Sequence, residues 1–404
     1  MKRRYISFHR PTIGKEEIRE VARTLRSGWV TTGPRTAQFE LEFKQAVQAE
    51  HALAVNSGTA ALHIALVALG IGPDDEVITT PLTFCATVNV ILQTGATAVL
   101  ADVGEDGNID PESIAQRIGP RTRAIIPVHL GGLACNMEAI WRLARKHGLY
   151  VIEDAAHAMG TRYQGKPIGA GDPRGNHSDA VAFSFYATKS LTTGEGGMVT
   201  TQDEALAGRM RSLCLHGITA DAWNRYSEAG NWYYEVTECG LKYNLSDVQS
   251  AIGIHQLHRQ ESFVRCRSRL AAIYRQELEA LDGLGLPPER MDCRHAWHLY
   301  AVRVHPSLLT VNRGGVIREL RARGIGASVH FIPIPLHPAY ASYPTLREDL
   351  CPRAMDLYQQ LISLPIYPDM TDGQAEYVAR TLRGIVTRAR RVNVAAGTSG
   401  GGEG

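Results

Sequence analysis

From about residue 50 the sequence alternates short apolar runs with longer segments of helical period, and this rhythm limits the fold more than any other feature. The runs at 51–55, 76–79, 97–102, 124–128, 149–153, 180–185 and 197–201 read as strands. Helices are expected between them at 59–69, at 84–93, from Pro111 onward and at 137–147. Pro111 suits the first turn of a helix, where its missing N–H has no partner to lose. The strands are apolar on both faces, as a sheet covered by helices on each side demands. The expected class is α/β with a largely parallel sheet.

Downstream, a long amphipathic helix is expected over 247–281, with Leu257, Val264, Leu270, Ile273, Leu278 and Leu281 near one face. A smaller α+β region follows, with strands at 299–304 and 327–331, a helix at 315–323 and a last helix at 372–388. The chain shows no internal repeat.

Composition closes off several other classes. With 44% hydrophobic and 21% charged residues the chain can bury a core, which a disordered chain cannot. Lysine and arginine number 43 against 41 aspartates and glutamates, so the formal net charge is +2 and no basic excess marks a nucleic-acid partner. The start, MKRRYISFHRP, has basic residues without the apolar run of a secretory signal. No stretch approaches the roughly 18–20 apolar residues of a membrane span. The 7 cysteines include no CxxC pair, which speaks against a zinc site or disulfide scaffold and for free thiols in a reducing cytoplasm. The expectation is a cytoplasmic protein without metal, nucleic-acid or membrane partners.

Three short stretches can carry chemistry. Asn56-Ser57-Gly58-Thr59 joins a strand to a helix, and such a junction aims backbone N–H groups and the helix dipole at one point, a cradle for phosphate. A plain helix cap at Ser57 or Thr59 explains the same residues. Asp154, in VIEDAAH (151–157), sits just past an apolar strand, where open α/β sheets place their ligands. A carboxylate buried there needs a cation or a hydrogen-bond donor. A pyridinium nitrogen would serve, and a helix N-cap role is the alternative. His157 reads either as a core histidine or as a hydrogen-bond partner for a ring oxygen. Lys189 lies in FSFYATKSLTTGEGG (183–197), where Ser184 ends a strand and Gly194, Gly196 and Gly197 permit unusual backbone angles or close approach. A lysine held among small residues, away from other cations, can lose its proton and form a Schiff base. An ordinary solvated lysine is the alternative. In chain order the three stretches supply a phosphate cradle, a ring-nitrogen partner and an aldehyde anchor.

These stretches bring out a resemblance. From Gly14 to about Leu382 the chain is similar to fold-type I pyridoxal phosphate enzymes of the DegT-type sugar-nucleotide aminotransferase family. The likeness is carried by SGWVTTGP (27–34), VNSGTAALH (55–63), DEVITTPLTFCATVN (75–89), RAIIPVHLGG (123–132), VIEDAAHAMG (151–160), FSFYATKSLTTGEGG (183–197), LKYNLSDVQSAIG (241–253) and HAWHLY (295–300). It implies an N-terminal segment and large domain with a mostly parallel seven-stranded sheet in residues 1–255, a smaller α+β domain in 256–390 and a flexible glycine-rich tail in 391–404. It also implies pyridoxal 5'-phosphate as cofactor, with Lys189 as the Schiff-base lysine and Asp154 as the pyridinium partner. By the same likeness His157 bonds the ring's phenolic oxygen, and Gly58, Thr59 and Ser184 hold the phosphate. Phe84 stacks on the ring, and Asn244 reaches the phosphate from the neighbouring subunit of a homodimer. Tyr186 stands where several relatives carry histidine. One branch of the family has histidine at the lysine position and removes a hydroxyl, and Lys189 places this chain outside it.

The implied reaction moves an amino group from glutamate to a keto-sugar nucleotide and returns 2-oxoglutarate. SGWVTTGP, RTRAIIPVHLGG and HAWHLY look most like the aminotransferases that make UDP-4-amino-4-deoxy-L-arabinose, which points to carbon 4, a pentose and lipid A modification. The alternative is a 4-keto-6-deoxy hexose nucleotide of O-antigen, surface-glycan or antibiotic-sugar synthesis. A regulator sensing pyridoxal phosphate or a sugar nucleotide finds no appended helix-turn-helix here. Desulfuration finds no cysteine in a glycine-rich loop.

Overall fold

The computed structural model describes residues 5–172, 175–218 and 233–391. The tail expected to be flexible lies, beyond Arg391, outside them. In chain order the strands are β1 His51–Val55, β2 Glu76–Thr79, β3 Thr97–Leu100, β4 Thr122–Ile126, β5 Tyr150–Asp154, β6 Arg162–Tyr163, β7 Lys166–Pro167, β8 Ala180–Ser184, β9 Gly197–Thr201, β10 Leu284–Gly285, β11 Cys293–Arg294, β12 Tyr300–Val304 and β13 Leu361–Leu364. The helices are α1 Lys15–Ser27, α2 Pro34–Val47, α3 Gly58–Ala68, α4 Ala86–Gln93, α5 Pro111–Arg117, α6 Met137–His147, α7 Glu204–Cys214, α8 Asp247–His258, α9 Gln260–Leu278, α10 Arg313–Ala322, α11 Pro352–Gln360 and α12 Asp372–Ala389.

All seven strands expected before residue 202 form a single sheet, ordered β1-β9-β8-β5-β4-β2-β3. β8, β5, β4, β2 and β3 pair in parallel, while β9 runs antiparallel to both β1 and β8. Consecutive strand residues feed opposite layers. Val77, Ala124, Ile126 and Ile152 join one apolar core, and Ile78, Ile125 and Val151 join the other. Both cores are closed by helices, which is why the strand sequences lack alternation. On one side Phe43 of α2 packs edge-on against Phe39, Phe183 and Phe185, with centroids 5.1–6.0 Å apart. Gly253 of α8 leaves room for the Phe39 ring, since a methyl there would lie 2.6 Å from it.

A third core draws Leu270, Tyr274 and Leu278 of α9 together with Val302, Val304, Ile362 and Leu364 from the sheet β10-β12-β13, and with Val378 and Leu382 of α12. Ile6 belongs to it as well: its N–H donates to Gly324 O and its carbonyl accepts from Gly326 N, both at 2.8 Å. The first described residues therefore pack with the last third of the chain.

Three expectations need correction. The helix over 247–281 is two helices, broken at Arg259, where the junction is tied outward by Arg259 to Glu17 at 2.9 Å and by Gln260 to Met159 O at 3.0 Å. The helix expected from Phe84 starts at Ala86 and leaves Phe84 on the preceding loop. Residues 327–331 form no strand. Ser328 makes one bridge to Ser363, and the segment then leaves the sheet toward His157, while β13 takes the place beside β12. The small sheet β11-β6-β7 had no apolar signal to reveal it.

Among the described residues no helix is long and apolar enough to cross a membrane. Because Phe43 is fully buried against three aromatic rings, Phe43→Ala should lower unfolding free energy by about 3–5 kcal/mol. Urea denaturation should show this as a lower midpoint with an unchanged slope.

Candidate active site

Three strand ends converge. β1 leads into Ser57 and α3, β5 ends at Asp154 and β8 ends at Ser184. In a largely parallel sheet these ends lie on one side, and helix N-termini gather there too. The turn after β8 is built by its own polar groups: Lys189 N–H donates to Tyr186 O at 2.8 Å, and Thr192 Oγ1 and Thr193 N–H both donate to Phe185 O. Gly194, with φ at +83°, occupies the left-handed conformation that closes this turn.

The Lys189 side chain keeps some accessible surface, yet protein surrounds its amine on most sides. Loss of water pulls its pKa down to about 8, against a smaller upward pull from Asp154. Among the described residues its amine has no hydrogen-bond or ion-pair partner.

Asp154 and its neighbour Glu153 point to opposite sides of β5 and meet opposite fates. Glu153 accepts from Ser178 Oγ at 2.6 Å and pairs with His129 Nε2 at 2.7 Å. His129 Nδ1 accepts from Cys135 N–H, so the proton sits on Nε2 facing the carboxylate. Among the described residues the Asp154 carboxylate, in a residue 5% exposed, accepts only from Thr87 Oγ1 at 2.9 Å and from Ala156 N–H at 3.1 Å. No cation is in ion-pair contact with it among the described residues. Burial raises its pKa, and the bonds from Ala156 and Thr87, with the charge of Lys189, offset part of that rise.

His157 is buried, and burial foremost, then the charges of Lys189 and His330, push it well below the usual histidine range. The ring is neutral, and its Nδ1 accepts from Gly131 N–H at 3.2 Å. Nε2 therefore carries a hydrogen to donate. The ring lies 4.3 Å from His298 and stacks at 5.6 Å on Phe331.

At the β1–α3 junction Ser57 caps the helix, its Oγ accepting from Ala60 N–H at 3.0 Å. The cap reading thus holds for Ser57, but it leaves the first-turn N–H groups of Gly58 and Thr59 without partners inside the helix. Gly58 sits against Ser184, since a methyl on it would lie 2.7 Å from Ser184 Cβ. The structure thus brings together Gly58, Thr59 and Ser184 at one corner, and Asp154, His157 and Lys189 close enough for their charges to interact. Phe84 is 60% exposed, 6.2 Å from Phe331. Asn244 bridges Val55 through its backbone, and its Nδ2 donates to Thr32 Oγ1 of its own chain at 2.6 Å. The Tyr186 side chain is 47% exposed.

Sequence reading missed Thr87, His9, His298, His330 and Phe331. Thr87 signals itself only as a polar residue inside an apolar helix. His298 lies in HAWHLY, a motif without a local chemical reading, and His330 and Phe331 were assigned to a strand.

The profile of the DegT/DnrJ/EryC1/StrS aminotransferase family matches residues 11–383, and the chain belongs to that family. It is 49% identical over 387 residues to the spore coat polysaccharide biosynthesis protein SpsC of Bacillus subtilis (strain 168), covering 95% of this chain and 98% of that one. It superposes with a TM-score of 0.87 and 30% identity on the PLP form of the putative sugar aminotransferase Spr1654 from Streptococcus pneumoniae, covering 95% and 99% of the two chains. Helicobacter pylori PseC, an aminotransferase involved in pseudaminic acid biosynthesis, gives a TM-score of 0.87 at 29% identity, with 95% and 100% covered.

The poorly partnered carboxylate generates a stability prediction. A folded-state pKa above the unfolded one means that Asp154 favours folding at low pH and costs stability as pH rises through the folded value. Cofactor-free Asp154→Asn should be more stable than wild type at neutral pH, and the difference should shrink on acidification toward the ordinary aspartate pKa. Urea titrations at several pH values check it.

Proposed function

We propose that this chain is a pyridoxal 5'-phosphate-dependent aminotransferase that moves an amino group from glutamate to carbon 4 of a keto-sugar nucleotide. The observation that carries the reading is Asp154, a buried carboxylate beside Lys189 with two hydrogen-bond donors and no cation in contact. A protonated ring nitrogen fits that need. When bound, pyridoxal phosphate supplies an aldehyde to carry the amine and a ring that draws electrons from the reacting carbon.

The chain's residues do the rest. Gly58 and Thr59 N–H groups, with the Ser184 hydroxyl, hold the phosphate at the start of α3. Asp154 keeps the ring nitrogen protonated, and His157 donates Nε2–H to the phenolic oxygen. Phe84 covers the ring face. Lys189, its pKa drawn down to about 8 by burial, anchors the aldehyde and then accepts and returns a proton at Nζ near neutral pH. Two copies form a homodimer with shared sites, in which Asn244 reaches the phosphate across the subunit boundary.

The reaction serves glycan synthesis, a reading supported by the name of SpsC, a spore coat polysaccharide biosynthesis protein, and of PseC, which is involved in pseudaminic acid biosynthesis; its place is the cytoplasm. Support for a UDP-4-keto pentose and lipid A comes from the segments 27–34, 121–132 and 295–300. The name of SpsC fits the wider surface-glycan alternative, for which the substrate would be a 4-keto-6-deoxy hexose nucleotide. Pocket size separates the two sugars by only about 1–3 kcal/mol per carbon group.

Purified protein incubated with glutamate and a panel of keto-sugar nucleotides, read by mass, should yield a 4-amino sugar nucleotide. Bound cofactor without turnover of any panel member would instead identify a sensor. Lys189→Ala should lower turnover by at least about 10²–10⁴-fold and lose the adduct that borohydride fixes in wild type. An adduct on a different lysine would displace Lys189 from its role. Mixed with Asn244→Ala chains, the Lys189→Ala protein should regain activity, because one site of each heterodimer carries neither lesion.

A further inference from the structure

Beside Lys189 lies a group of polar side chains that the cofactor reading leaves without work. His9 arrives on the N-terminal segment, held by the Ile6 hydrogen bonds and by Phe8 stacked on His330 at 5.2 Å. His9 lies within reach of the Ala187 backbone, two residues before Lys189. His298, 6% exposed, lies against His157. Arg267, 1% exposed, donates from Nη1 to the carbonyls of Trp297 at 3.2 Å and Ile366 at 2.7 Å and has no carboxylate partner among the described residues. The three lie close enough to one another and to Lys189 for their charges to interact.

Three buried nitrogens here have no hydrogen-bond partner: His9 Nε2, His298 Nδ1 and Arg267 Nε. Buried polar atoms are normally satisfied, so such a concentration calls for a ligand or ordered water. The group carries the positive charges of Arg267 and Lys189 and holds its imidazoles neutral, which suits an anion.

We propose that His9 and His298, with Arg267 behind them, form the subsite for the α-carboxylate of the amino donor. The inference rests on the aminotransferase reading above. The choice of anion follows from position. Groups next to Lys189 meet whatever is attached to the reacting carbon, and in an amino acid that is the carboxylate. The diphosphate of a sugar nucleotide is separated from its ketone by the sugar ring. The same space must next admit a sugar whose reacting carbon bears no charge. An arginine in direct contact would then be left unpaired, whereas a neutral imidazole N–H can donate to a carboxylate and then to a hydroxyl. Arg267, one layer back, adds field without demanding contact.

The test compares single-turnover rates of the holoenzyme with glutamate and with 4-aminobutyrate, which lacks only the α-carboxylate. In His9→Gln and in His298→Gln the preference for glutamate should fall about 10- to 100-fold, the range for a hydrogen bond to a charged group. A defect in folding or cofactor binding lowers both rates together and leaves the ratio alone, so an unchanged ratio in both variants overturns the subsite. Wild-type holoenzyme that reacts with no amino acid at all would overturn the aminotransferase reading, and the subsite with it.

Discussion

Carrying a carboxylate into a protein interior costs several kcal/mol unless something compensates it, and β5 does this twice in succession. Glu153 is compensated at once by His129 and Ser178, behind which Trp141 donates to Ser178. That closed network steadies the strand. Asp154, on the other side, is held in place by Thr87 and Ala156 but left short of charge. The chain accepts a less stable fold in order to keep an acceptor ready, and the surrounding site is arranged to make use of it.

The two-faced sheet makes that arrangement possible. Helices cover both faces, and the parallel strands bring Ser57, Asp154 and Ser184 to the same end of the sheet. The reversed strand β9 closes the pattern, pairing Gly197 with both Val55 and Ser184. A methyl at Gly197 would lie 2.5 Å from Ser57 O, so the glycine is what lets the corner of Gly58 and Ser184 and the lysine turn share one edge.

How much of this was legible in the sequence depended on distance along the chain. The seven large-sheet strands were readable because each is a local apolar run with local punctuation. Gly58, Asp154 and Lys189 were readable because each sits at a strand end within a distinctive short motif. Thr87 was not, since its importance lies in an oxygen 67 residues away. His298 and Phe331 gain meaning only from rings contributed by His157. Residues 327–331 misled for a related reason: their β-branched and aromatic composition suits a strand, but contact with the site draws them out of the sheet. The break at Arg259 is likewise imposed from outside, by Glu17 and Met159, and a helical period alone cannot register it.

The Ile6–Ile325 bridge bears on how the molecule is made. A ribosome releases residue 6 early and residue 325 late, so the first segment waits while most of the chain emerges. Its docking closes a very long loop, whose entropy cost grows only slowly with length, but whose timing is set by synthesis. During that wait the large sheet can assemble with its lysine turn formed while His9 and Phe8 remain undocked. His9 is docked only when the segments around residues 6 and 325 meet, and a nascent or truncated chain lacking residue 325 would have a lysine turn without its histidine neighbour.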